Sequence, residues 1–281
     1  MQISALFPVF LANIRQHAIV LAAAVFLIGG AGNIALAQPK AAAKLDPTAA
    51  LNKAARQPML AERITKTFTQ IGQRVLEARS KRQLDEAVKE FESALKELQA
   101  AAPTAEIKEN YQLLEQLFEE YKSIIGKPVT LASAKQLAEQ NEELVWISTK
   151  GAMLMAAHSK SARSDLITTA GEVRTLTQRI AKLYLFRSWG IRSDVIANDL
   201  KKAETDYRAD VAKLQAATHN TEQIKSELAL AETQYIFLKQ AIDRLNANKT
   251  STVELEHVAK ACDNILEVME RVTKLYEGIK A

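Results

Sequence analysis

Arg174 and Gln178 are the residue pair of this chain whose types and spacing best suit the binding of a small anion. They lie one turn apart in a segment with helical periodicity, so their side chains leave the same face. A guanidinium and an amide together present several N–H donors, which suits a planar oxyanion. Ala170 and Gly171, just before them, would let another helix backbone approach closely. The competing interpretation is an ordinary helix–helix contact without a ligand.

The segment that carries these residues occurs twice. Residues 53–68 align without a gap on residues 169–184, at an offset of 116 positions. Small, apolar and basic residues coincide in the two copies: Ala54/Ala170, Leu60/Leu176, Arg63/Arg179, Ile64/Ile180 and Lys66/Lys182. A period this long indicates one supersecondary unit used twice. Chance similarity between helices rich in Ala, Leu, Lys and Arg is the alternative.

Apolar residues at 3.6-residue spacing continue through both halves of the chain, and the breaks between them repeat. Breaks near residues 80, 103 and 128 correspond to breaks near residues 190, 218 and 250. The sequence therefore predicts an all-α protein made of two tandem antiparallel four-helix bundles, residues 46–160 and 161–281. Only Gly151 and Gly171 interrupt the pattern between residues 130 and 190, so we expect a long shared helix to join the bundles.

The first 37 residues have the features of an export signal. Arg15 and His17 precede an apolar run, and Ala35-Leu36-Ala37 matches a signal-peptidase site. We expect a signal peptide over 1–37, a linker over 38–45 and a periplasmic mature protein. The competing interpretation is an uncleaved membrane anchor over residues 18–37.

Composition and motifs argue against several classes of function. Positive and negative residues alternate at helical spacing, although the formal net charge is +4, and no basic run with aromatics suggests nucleic-acid binding. Cys262 is the only cysteine, and Glu254-x-x-His257 is the only pair with di-iron spacing. With no phosphate loop, nucleophile elbow or paired-carboxylate cleft in the sequence, we expect neither an enzyme nor a metal or other cofactor.

The repeated segment resembles the signature Asn-x-Ala-Gly-Arg-Gln-Arg-Met-Leu-Ser-Gln-Arg-Met-Ala-Lys-Leu-Tyr. This signature opens the periplasmic sensor domain of the PilJ/NarX-like family, which includes type IV pilus chemotaxis transducers and nitrate-sensing kinases. The resemblance covers about 17 residues in each copy. It implies a four-helix bundle around each copy and an anion site formed between subunits.

The resemblance also implies roles for individual residues. The family's anion-binding arginine corresponds to Arg174 in the second copy and to Pro58 in the first, and the lysine that assists it is Lys53 in the first copy and Thr169 in the second. Pro58 is expected to kink its helix, which would either shape a pocket or mark a degenerate copy. The full set of candidate ligand-binding residues is Gly171, Arg174, Gln178, Arg179, Lys53, Arg56 and Arg63. For Arg179, we expect pairing with Glu172 or Asp165.

These features lead to two hypotheses of function. The first is an exported sensor-type module that binds a small ligand, such as nitrate or nitrite, or a partner helix bundle. It would relay its state to a membrane receptor or another envelope protein, and a homodimer fits the family's site between subunits. The second hypothesis is a structural or adaptor bundle of the cell envelope that senses nothing.

Overall fold

The computed structural model describes residues 45–159, 162–246 and 251–279. The expected signal peptide, and the linker except for Leu45, lie outside these ranges. The described residues form eight helices and no strand: α1 (Pro47–Gly72), α2 (Glu77–Ala101), α3 (Ala105–Ile125), α4 (Leu131–Ser159), α5 (Ala162–Ser188), α6 (Asp194–Gln215), α7 (Glu222–Asn246) and α8 (Thr252–Glu277). The all-α prediction is confirmed.

Helix starts follow the capping residues in the sequence. Asp46 precedes Pro47 and accepts hydrogen bonds from the backbone N–H groups of residues 48 and 49. Ser193 and Ser251 accept a hydrogen bond from the third residue of α6 and α8, respectively. A side-chain oxygen at these positions satisfies donors that have no partner within the helix.

Each half of the chain forms an antiparallel four-helix bundle. In the first half, α1 packs against α2 and α4, while α3 packs against α2 and α4. In the second half, α5 packs against α6 and α8, while α7 packs against α6 and α8. Side-chain contacts show the directions: Lys53 near the start of α1 pairs with Glu97 near the end of α2, and Arg271 of α8 pairs with Glu227 near the start of α7.

The expected long shared helix between the bundles is wrong, because α4 and α5 run in opposite directions. Ser159 at the end of α4 shares a hydrogen bond of 2.6 Å with Ser164 near the start of α5. Farther along the pair, Lys182 of α5 lies 2.9 Å from Glu142 of α4. α4 ends at Ser159 and α5 begins at Ala162, and the sequence has serines but no Gly or Pro near these helix ends. The described residues of the two halves belong to one compact unit.

The two copies of the repeated segment lie side by side, as the parallel helices α1 and α5. A Cβ atom built on Gly171 would lie 2.7 Å from Cβ of Ala55, its counterpart 116 positions earlier. At the other end, Gln73 donates a hydrogen bond of 3.0 Å to the carbonyl oxygen of Leu185. Residues that face each other across α1 and α5 are therefore separated by about 116 positions at both ends of this contact, which we call the α1–α5 seam.

The turns after α1 and α5 have the same backbone hydrogen bond but different residues. Val75 N–H donates to the carbonyl of Gln70, and Ile191 N–H donates to the carbonyl of Phe186, each at 2.9 Å. The residue before each donor has a positive φ angle, 56° at Arg74 and 85° at Gly190, and Leu76, which follows Val75, has a φ of 47°. Glycine adopts this left-handed conformation without strain, whereas a residue with a Cβ does not.

Replacing Arg74 with glycine should therefore stabilise the protein. We expect Arg74→Gly to raise the free energy of unfolding by about 0.5–1 kcal/mol, since relief of strain exceeds the entropy that glycine adds to the unfolded chain. Gly190→Ala should lower it by about 1–2 kcal/mol. Urea denaturation followed by circular dichroism measures both changes. A loss of stability in Arg74→Gly would contradict strain at this position.

Candidate functional site

A buried carboxylate, Glu62, holds the middle of the α1–α5 seam. Its side chain is fully buried and lies 2.8 Å from both Arg179 and Lys182 of α5. Arg179 also pairs with Glu142 of α4 and Asp199 of α6, at 2.7 and 3.1 Å. The expected pairing of Arg179 with Glu172 or Asp165 is therefore replaced by three other carboxylates, which reach it from α1, α4 and α6.

The lysines of the two copies make related contacts on opposite sides of the seam. Lys182 donates to Oδ1 of Asn141 and pairs with Glu142, both on α4. Its counterpart Lys66 is fully buried and donates a hydrogen bond of 2.7 Å to Asp263 of α8. Each lysine thus finds carbonyl or carboxylate oxygen atoms on the last helix of the other half, α4 for Lys182 and α8 for Lys66.

Glu142 and Asp263 stay ionised because of the bases next to them. Burial alone would raise the pKa of Glu142, but Lys182 and Arg179 lower it to about 2. Burial likewise opposes ionisation of Asp263, yet Lys66 and a hydrogen bond from Gln83 keep its pKa below the ordinary value. A buried ion pair is compensated only while both partners remain in place.

The residues that the resemblance implicates in anion binding lie together at the N-terminal end of the seam. Arg174 is fully buried and donates to Glu270 of α8 at 3.0 Å and to Asn52 of α1 at 2.8 Å. Arg56 also pairs with Glu270, and Lys53 pairs with Glu97 at 3.3 Å. Carboxylates therefore already neutralise Lys53, Arg56 and Arg174, and burial lowers the pKa of Arg174 despite Glu270.

Two other predicted residues, Gln178 and Arg63, have no partner among the described residues. Gln178 is fully buried, and neither its amide oxygen nor its amide nitrogen makes a hydrogen bond there. Nε of Arg63 is also buried without a hydrogen bond, and no ion pair to Arg63 is found in the described ranges. The Arg63 charge still helps to lower the pKa of Asp263, so the two groups are near each other.

A cavity of about 480 Å³ opens beside the seam, between α1, α4, α5 and α6. Its walls are mostly apolar and include Ala55, Pro58, Gly171 and Leu176, so both copies of the repeated segment contribute to it. Three carboxylates stand at the α5–α6 side: Glu172, Asp206 and Asp210. Burial raises the pKa values of Glu172 and Asp210, repulsion from Asp206 adds to both shifts, and Lys213 partly opposes them.

The sequence placed all seven candidates on the seam helices, but it did not identify the residues that pair with them. Glu142 and Asp263 belong to no motif, and each stands in a segment of ordinary amphipathic helix, while Glu62 lies within the repeated segment but was not singled out. Glu62 carried one available signal, since it aligns with Gln178 at the 116-residue offset, next to two basic positions that both copies share. Pro58 lies inside α1, which continues through it from Pro47 to Gly72.

No protein-family model, curated protein or solved structure matches this chain. Within the described ranges, none of the helices combines the length and apolarity needed to cross a bilayer. In the same ranges, no group of three or more His, Cys, Asp or Glu side chains is placed to hold a metal ion. The geometry of the seam and its cavity is therefore the basis for a functional proposal.

Removing Asp263 should destabilise the protein strongly. Asp263→Ala leaves the Lys66 ammonium buried without its carboxylate, and loss of one partner of a buried pair costs about 3–5 kcal/mol. Asp243→Ala is the matched control, because Asp243 forms an exposed pair with Lys239 and should cost less than about 0.5 kcal/mol. Chemical denaturation at pH 7 compares them, and similar losses in both variants would contradict a special role for the buried pair.

Proposed function

We propose that this chain is a sensor-type helical module that binds a small molecule in the cavity beside the α1–α5 seam. The observation that carries the proposal is the cavity itself, whose 480 Å³ volume falls in the range of small-ligand pockets. Its mostly apolar wall and a few polar groups at one side are typical of such pockets.

The position of the cavity supports a relay of the bound state. Ala55 of α1 and Gly171 of α5 line it and also lie in close contact across these helices. A ligand that presses on this contact would favour one spacing of the two helices over another. Small helix displacements of this kind are a common switching device, and a change in the seam would alter the outer faces of both bundles. We propose a membrane receptor or another envelope protein as the partner that reads those faces.

The charges at the cavity indicate the class of ligand. Glu172, Asp206 and Asp210 face it from one side, and the base among its lining residues, Arg179, is already paired with three carboxylates. A neutral or positively charged apolar molecule therefore suits this cavity better than an anion does. Nitrate or nitrite would instead bind near Arg174, where it has to compete with the carboxylate of Glu270.

An adaptor without a ligand is the second candidate, and one observation favours it. Trp146 and Met153 of α4 lie seven residues apart on one helix face, with 61% and 57% of their surface exposed. Large apolar side chains in such a position are typical of a surface that another protein covers. A homodimer or an envelope partner would bury them.

Thermal shift with two related probes tests the sensor proposal. Tryptamine should raise Tm by about 2 °C or more at saturation, and indole by less, because only tryptamine adds an ammonium group for Glu172 and Asp210. Thr175→Phe should abolish both shifts by filling the cavity that Thr175 lines.

Thr205→Phe is the matched control, since Thr205 makes the same backbone hydrogen bond within its helix but is exposed on α6. It should keep both shifts. Absence of any shift in the unmodified protein, or equal shifts in Thr175→Phe, would favour the adaptor.

A further inference from the structure

Two groups of charged and polar side chains flank the seam: the first layer surrounds Arg179 and Lys182, and the second layer surrounds Arg63 and Lys66. The two layers contain equivalent bases but different acids. At the 116-residue offset, Arg179 and Lys182 correspond to Arg63 and Lys66. The carboxylates Glu62 and Asp199, which both bind Arg179, correspond to Gln178 and Gln83. The second layer therefore has both cations, but it has the neutral amides of Gln178 and Gln83 where the first layer has two carboxylates.

The remaining acid of this second layer is already engaged. Asp263 accepts hydrogen bonds from Lys66 at 2.7 Å and from Gln83 at 2.9 Å, and it pairs with Arg79 at 2.9 Å. Arg63 contributes another positive charge near it. Two bases, Lys66 and Arg79, thus contact one carboxylate, and Arg63 adds a third positive charge. In the first layer, by contrast, the three carboxylates Glu62, Glu142 and Asp199 contact only two bases, Arg179 and Lys182.

Gln178 stands where a carboxylate head group would complete the second layer. Glu62 reaches Arg179 and Lys182 from the equivalent position of α1, so we infer from the repeat that the Gln178 side chain is directed towards Arg63 and Lys66. Gln178 is fully buried and both of its polar side-chain atoms lack a partner among the described residues. Unsatisfied buried polar groups are costly, and a ligand that supplies hydrogen bonds there removes the cost.

We propose that a small monovalent oxyanion of carboxylate size binds between Arg63, Lys66 and the amide of Gln178. The anion takes the place that the head group of Glu62 occupies in the other layer, and charge-assisted hydrogen bonds from the guanidinium and ammonium hold it. Arg63 is part-exposed and provides the side from which the anion enters. This site uses neither the cavity nor Arg174, so it stands independently of the proposed function.

Sodium formate is the probe, compared with sodium chloride at the same ionic strength. Formate should raise Tm of the whole protein by about 2 °C or more in a saturable manner. Gln178→Glu supplies the missing carboxylate from the chain itself and should abolish the response. Arg63→Gln removes a cation at a part-exposed position and should also abolish it, which keeps the test available if Gln178→Glu does not fold.

Two control variants distinguish binding at this site from a general effect of surface arginines and from binding in the cavity. Arg271→Gln removes an arginine from an exposed ion pair with Glu227 and should keep the full response to formate. Thr175→Phe fills the cavity and should keep the response as well. The proposal is overturned if formate has no effect beyond chloride, if Gln178→Glu and Arg63→Gln still respond, or if Thr175→Phe alone removes the response.

Discussion

The burial of charge along the α1–α5 seam is the constraint on which the rest of this structure depends. Glu62 of the first half is neutralised by Arg179 and Lys182 of the second half. Lys66 of the first half is neutralised by Asp263 of the second half. Neither bundle satisfies its buried charges without the other, so the two halves fold against each other as one compact unit. Sliding α1 along α5 by a turn would separate both sets of partners at once, and an uncompensated buried charge is strongly unfavourable. The ion pairs therefore specify the register, while the apolar side chains around them supply most of the favourable burial.

Differences between the two copies make the two sides of the seam structurally unequal. Pro58 in the first copy corresponds to the buried Arg174 in the second, and Glu62 corresponds to Gln178. Glu62 forms ion pairs with Arg179 and Lys182, whereas the amide oxygen and nitrogen of Gln178 lack partners among the described residues. A strictly symmetric seam would have two equivalent layers and no reason to bind an anion on one side only. The repeat thus provides a common frame, and the departures from it are the positions at which we propose that ligands bind.

The sequence predicted the helices of this fold better than their arrangement. Helical periodicity, the caps at Asp46, Ser193 and Ser251, and the 116-residue offset were enough for two antiparallel four-helix bundles. The hairpin between α4 and α5 was missed, because serines at the reversal give a weaker local signal than Gly or Pro. The seven candidate residues lie on α1 and α5, the helices of the repeated segment, and their role in binding stays a prediction. A pair far apart in the chain, such as Lys66 and Asp263, leaves no trace in local spacing. The PilJ/NarX-like resemblance remains a proposal.

Disulfide trapping across the seam tests the parallel, in-register contact of α1 and α5 most directly. Ala55→Cys with Gly171→Cys should cross-link within the chain on mild oxidation, because these positions face each other and a separation of the helices by about 1 Å brings the two Cβ atoms, 2.7 Å apart as built, to the distance of a disulfide. Cys262 does not interfere, since it is fully buried and burial raises the pKa of its thiol to about 12. Ala55→Cys with Gln178→Cys, displaced along α5 by about 10 Å, should not cross-link. Cross-linking of the displaced pair but not of the facing pair would contradict the register and, with it, the assignment of every ion pair across the seam.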